Sequence, residues 1–219
     1  MGSIIQNAAN NIGANGVFSS SALTNASVSG ISALPSGVGG KPILLSTQTA
    51  SASATISFTT GIDSTYDIYK FEFINIHPAT DNVDFQFNMS TDAGSNYNVT
   101  KTSSAFEAYG NEAGNSAGVA YDGGRDLAQS TSDQPAGVPI GNASDESLNG
   151  SMFLFNPSST TYVKHFIIDT NGYKTNDESV RLFIAGYGNT TSAVNAVRFQ
   201  MSSGNIDDGI IKLYGVKKS

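Results

Sequence analysis

Apolar and polar residues alternate along several stretches of the chain. Val83-Asp84-Phe85-Gln86-Phe87-Asn88-Met89 puts four apolar side chains on one side and polar ones on the other. A strand turns successive side chains to opposite faces, so this pattern predicts a half-buried antiparallel strand. Residues 66–76 alternate in the same way. Tyr69, Phe71, Phe73 and Asn75 share one side; Ile68, Lys70, Glu72, Ile74 and Ile76 share the other. The side with Tyr and Phe is the predicted core face. Thr55-Ile56-Ser57-Phe58 is a shorter strand of the same kind. Further strands are predicted over 97–106, 151–155, 162–169, 179–186, 193–201 and 209–216, with Asn171-Gly172 and Asp208-Gly209 as tight turns. His77-Pro78 marks a strand end. No stretch has the 3.6-residue period of an amphipathic helix. Short strands separated by turns predict an all-β chain, an antiparallel β-sandwich of jelly-roll-like form.

Two regions depart from alternation. Residues 1–40 contain no Lys, Arg, Asp or Glu, and the first charge is Lys41. Apolar residues still recur there, at Ile12, Val17, Phe18, Leu23, Val28 and Ile31. Their spacing, roughly five residues, fits neither helix nor strand. Ala, Ser, Gly, Asn and Thr fill the gaps. Such a segment alone buries too little surface to offset its ordering entropy. It is therefore predicted to be an extended attachment or oligomerisation arm, with those six residues as anchors. A shared interface can bury an uncharged arm without stranding a charge. The turn-rich Leu34-Pro35-Ser36-Gly37-Val38-Gly39-Gly40 closes the arm, and residues 41–219 form the sandwich domain. The second region, 108–147, is rich in Gly, Asn, Asp and Ser. It is predicted to be a long loop insertion, either a variable surface feature or a contact surface for a partner.

Composition narrows the function classes. Charged residues make up 13% of the chain, about half the usual share, and the net charge is −7. The eleven Lys and Arg are scattered, with Lys217–Lys218 the sole adjacent pair, so no nucleic-acid partner is expected. The absence of cysteine removes disulfides and thiolate metal sites, which suits assembly in a reducing cytoplasm. No secretory signal and no apolar run near the ~20 residues of a membrane span are visible, so membrane insertion is not expected.

Candidate chemistry is sparse. His77 and His165 have no partner spacing typical of a metal site, and no nucleophile-elbow motif occurs. Asp81, Asp84 and Asp92, and the pair Asp122 and Asp126, lack the alternation and terminal Glu of a calcium loop. No catalytic residue, metal or cofactor is expected, and the chain reads as a non-enzyme. Tyr109, Tyr121 and Tyr187 sit near predicted loops and are the candidate contacts for a receptor or glycan. Sequons at Asn25, Asn88, Asn98, Asn142 and Asn189 follow from the abundance of Asn, Ser and Thr.

The residues also carry a resemblance. VFSSSALTNASVSGISALPSGVGG, residues 17–40, resembles the repetitive segments of bacteriophage tail fibres. Residues 43–100 are similar to a module of virion proteins of marine and cyanobacterial tailed phages, and SGNIDDGIIKLYGVKKS resembles its final strand. The resemblance carries no catalytic residue. It implies a surface component of a tailed-phage virion, commonly an oligomer; the expected form is a homotrimer, assembled in the host cytoplasm and in contact with other virion proteins. Two versions are open. A tail-fibre-like protein would use the 108–147 region for host attachment, including contact with a surface glycan. A capsid decoration or cement protein would use the arm to bridge the shell. From another class, a free carbohydrate-binding module or glycan hydrolase would gather exposed aromatics with a cation site or a carboxylate pair in one cleft.

Overall fold

The computed structural model describes residues 42–216. The six arm anchors, Ile12 to Ile31, and Lys217–Lys218 lie outside the described residues. The described chain forms twelve strands: β1 (Pro42–Ser53), β2 (Ile56–Phe58), β3 (Ile68–Pro78), β4 (Val83–Ser90), β5 (Lys101–Asn111), β6 (Ala117–Tyr121), β7 (Gln134–Ile140), β8 (Leu148–Phe155), β9 (Lys164–Lys174), β10 (Glu178–Gly188), β11 (Ala196–Met201) and β12 (Ile206–Val216). All pairings are antiparallel.

Two sheets face each other. The larger has the order β1-β12-β3-β8-β9-β10-β5-β6, and the smaller β2-β11-β4-β7. Without β5, β6, β9 and β10, eight strands remain, four to a sheet. Their orders, β1-β12-β3-β8 and β2-β11-β4-β7, are those of a jelly roll, as the alternation implied. The other four strands are two hairpins inserted after β4 and after β8. They pair with each other through β10 and β5 and extend the larger sheet beyond β8.

The core lies between the sheets and is built on phenylalanine. Phe199 of β11 packs edge-on against Phe71 and Phe73 of β3, with centroids 5.2 Å apart in both pairs, and stacks on Phe85 of β4 at 5.6 Å. Tyr69, Phe71, Phe73, Val83, Phe85, Phe87 and Met89 are all buried, as their alternation predicts. Each buried ring removes enough apolar surface to contribute about 2–3 kcal/mol, and edge-on ring pairs add to that.

Four expectations need correction. Ile76 was assigned to the outer face of β3 but is fully buried. Asn75 adopts φ 50, and the register to β8 shifts between Phe73 and Ile76. One extra residue reverses the facing of everything after it. Asp208-Gly209 is not a turn. It is a bulge inside β12, opposite Asn75, where Gly209 takes φ +128 and a Cβ would lie 2.9 Å from the Asn75 carbonyl oxygen. Asn171-Gly172 lies within β9. Its glycine marks a close approach, since a Cβ there would lie 2.8 Å from Val138 of β7. The loop insertion at 108–147 is not loop throughout: it holds the end of β5, all of β6 and the nearly buried β7. β7 carries Pro135 and Pro139, which obscure it in sequence but are tolerated because it is an edge strand of the smaller sheet. β1 was also not foreseen, because its Ser- and Thr-rich sequence buries only Ala50.

Candidate functional site

All three candidate tyrosines lie on the hairpins that extend the larger sheet, but they do not share a face. Tyr109 of β5 pairs with Val180, whose side chain is buried, and packs against the core. Its hydroxyl lies over Gly118 of β6. Tyr121 ends β6 opposite Phe106, which in turn pairs with Phe183 of β10, all on the outer face. Tyr121 is 62% exposed, and its hydroxyl donates to Asp126 Oδ2 at 2.5 Å. This bond to a carboxylate raises the Tyr121 pKa above its ordinary value. Tyr187 also faces outward, with its ring 6.0 Å from that of its strand neighbour His165.

Between Tyr121 and Tyr187 the outer face is apolar and aromatic. Phe106 and Phe183 stack with centroids 4.9 Å apart. The Arg181 guanidinium sits 4.3 Å from the Phe183 ring centre and grips Asp169 with Nε at 3.0 Å and Nη2 at 2.7 Å. Phe106 and Ile167 are each 48% exposed, and Val119 76%. Aromatic rings braced by a fixed arginine are the residue types that anchor protein contacts, and their faces also stack on sugars. Phe106, Val119, Ile167, Arg181 and Phe183 escape a reading based on alternation. The available signal is the run Leu182-Phe183-Ile184, where large apolar residues occupy both faces of one strand.

The carboxylates considered for a cation are each engaged in local structure. Asp81 accepts from the Asn142 N–H. Asp84 and Asp122 both bind Arg125. Asp92 accepts from Ser90 Oγ and from the backbone and side chain of Asn96, which hold its pKa down at about 2. Among the described residues, no group of three or more His, Asp or Glu is placed to hold a metal ion.

The described residues also form two shallow concavities away from the outer-face rings. One, of about 430 Å³, is lined by His77, Asp145, Glu146, Asp207 and Asp208. Here His77 Nε2 lies 3.1 Å from the Ala143 carbonyl, and the buried Glu146 accepts from the Ala143 N–H. The other, of about 440 Å³, contains Glu112, Tyr173 and Ser179. The Tyr173 hydroxyl lies 3.1 Å from Glu112 and 3.2 Å from Asp177. Desolvation, then these two carboxylates, push its pKa up to about 12. One hydroxyl proton serves both acceptors in turn, so the arrangement is a hydrogen-bonded clasp between the ends of the two inserted hairpins.

Sequence reading also missed two lysines, Lys101 and Lys164, that are wholly buried. Lys101 Nζ donates to Asn88 Oδ1 at 2.7 Å and to the Val99 carbonyl at 2.8 Å. Lys164 Nζ donates to the carbonyls of Tyr162 at 2.6 Å and Thr190 at 3.2 Å. Burial lowers the pKa of both amines, that of Lys101 to about 8. In comparisons with known proteins, no family model, no curated protein and no solved structure matches this chain.

Proposed function

We propose that this chain is a structural component of a tailed-phage virion, a homo-oligomer held by its N-terminal segment and displaying the sandwich outward. The observation that carries this reading is β1. It is a twelve-residue strand at the edge of the larger sheet, with β12 as its one strand neighbour among the described residues. It contains no charge, and Ile43 and Leu44 at its start are 43% and 52% exposed. Edge strands are normally guarded by charge, proline or shortness, because their free N–H and C=O groups template pairing with another chain. β1 has only Pro42 and a bulge near Leu44. The opposite edge, β6, is short by comparison at five residues. In the sequence, Lys41 alone separates this uncharged edge from the charge-free residues 1–40. For a chain of net charge −7, these are the stretches where copies approach with least repulsion.

The jelly roll is consistent with this role, since the architecture serves viral coat and lectin domains alike, though a fold does not by itself fix a function. Within the virion reading, the aromatic outer face favours a displayed, fibre-like component that contacts a host surface over a decoration protein with no outward contact. The test is substitution in the arm. Phe18→Asp or Leu23→Asp is expected to dissociate the oligomer or remove the protein from particles while the sandwich keeps its circular dichroism spectrum. Normal incorporation of both variants would refute the reading.

A further inference from the structure

We propose that Lys101 and Asn88 form an intramolecular amide crosslink, made by the folded protein itself, that ties the two sheets together. Asn88 lies on β4 of the smaller sheet, and Lys101 opens β5 of the larger. Both are buried, with 1% and 0% of their surface exposed. Nζ is 2.7 Å from Oδ1. With a C=O bond of about 1.23 Å, the amine therefore lies within about 4 Å of the amide carbon, next to the near-attack range.

The surroundings match the needs of acyl transfer. Attack requires the neutral amine, and burial disfavours the ammonium form, bringing its pKa to about 8. A neutral amine has two N–H bonds, and two acceptors receive them, Asn88 Oδ1 and the Val99 carbonyl. Attack on Cγ requires the amine to turn about its Cε–Nζ bond, so that the lone pair rather than an N–H faces the amide. Asn88 Oδ1 takes a second donor, the Met89 N–H at 2.9 Å. The Met89 N–H is the donor that stays on this oxygen as negative charge develops while Nζ attacks. The departing nitrogen, Asn88 Nδ2, is oriented by the Thr131 carbonyl at 3.1 Å. Asp133 follows two residues later and is fixed by Arg198 at 3.0 Å and Gln200 at 3.3 Å. Arg198 is the direct strand partner of Asn88; burial lowers the Lys101 pKa, the charge of Asp133 opposes this and that of Arg198 adds to it.

The step balances without any other reactant. The Nζ–Cγ bond forms and the Cγ–Nδ2 bond breaks. One proton leaves Nζ and is delivered to Nδ2, and ammonia departs. The product is a secondary amide that keeps one N–H on Nζ. It would replace a buried amine held by carbonyl oxygens with a neutral group, and it would lock two sheets that β4 and β5 otherwise join through the connecting residues 91–100. Such a lock adds kinetic stability by preventing separation of the sheets.

The experiment is the intact mass of the purified full-length protein, denatured before measurement, followed by peptide mapping. The expected mass is one ammonia below that of the sequence, with a branched peptide joining the Asn88 and Lys101 segments. The Lys101→Met variant, which keeps a long unbranched side chain, is expected at its full sequence mass. A wild-type mass equal to the sequence mass would overturn the proposal, and so would an ammonia loss that persists in Lys101→Met or maps to another residue pair.

Discussion

Arg125 shows how much a single side chain on an apparently featureless stretch can hold. Its guanidinium binds Asp122 and reaches Asp84 on β4 at 3.0 Å. Its carbonyl accepts from the Gln134 side chain at the start of β7. Burial raises the Asp84 pKa, opposed by the Arg125 charge. Arg125→Ala would strand Asp84 in a half-buried site and is expected to cost about 1–3 kcal/mol, less than a fully buried pair because both groups keep some exposure. Urea denaturation measures it. Asp92 offers a pH test. Its folded pKa of about 2 lies below the ordinary 3.8 because Ser90 and Asn96 donate to the carboxylate. The unfolded chain therefore binds more protons in this window. The contribution of Asp92 is complete above about pH 4 and is lost as pH falls toward 2. The Asp92 carboxyl resonance should titrate with a midpoint near 2, and a midpoint near 4 would show that the turn is open in solution. At this scale the sequence was legible for the rings: Tyr69, Phe71, Phe73, Phe85 and Phe87 all fall where alternation puts them. It was not legible for Arg125, Lys101 or Asn88, whose partners are brought in from separate strands.

Elements were readable where one face buries large side chains and the other stays polar. β3, β4 and most of β9 and β10 meet that condition. β1 does not, because an edge strand outside the main core needs no apolar face, and Ser, Thr and Gln serve it equally well. β7 was hidden by its two prolines, and β6 by its five small or exposed residues, Ala117-Gly118-Val119-Ala120-Tyr121. The paired bulges were hidden for another reason. Asn75 and Gly209 belong to strands far apart in sequence, and only their pairing makes an extra residue acceptable in each. Gly209→Val would place a side chain at φ +128 against the Asn75 carbonyl. The expected cost is about 2–4 kcal/mol from strain and steric overlap, read as a fall in Tm. The edge strand makes a different prediction. Thr47 and Thr49 of β1 are exposed, so Thr47→Lys with Thr49→Lys should change folding stability by less than about 0.5 kcal/mol. The same pair should weaken association between copies, as added charge guards an edge. Unchanged association at matched concentration, measured by sedimentation, would argue against β1 as a contact.

At the scale of the whole domain, residues 42–216 form a jelly roll widened on one side by two inserted hairpins, and the widening is where the aromatic outer face lies. The architecture was legible from the regular spacing of short strands. The extension was not, since the β10–β5 pairing joins hairpins from different parts of the chain. Of the candidate contacts, Tyr121 and Tyr187 reach the outer face and Tyr109 turns inward, a consequence of register that sequence does not reveal. Phe106→Ser combined with Tyr121→Ser removes exposed rings only in part supported by neighbours. The account expects a modest stability loss, below about 1 kcal/mol, together with loss of adsorption of particles to host cells. Unchanged adsorption would confine the role of this face to the fold.

The central claim is that copies of this chain associate through the uncharged N-terminal residues. Light scattering of the full-length protein, beside a chain beginning at Lys41, tests it most directly. The account predicts a trimer for the full chain and a folded protein for the shortened one that, with β1 alone as contact, no longer holds together as a trimer. A full-length protein that remains a monomer at every concentration, with the same mass per chain as the shortened form, would contradict it.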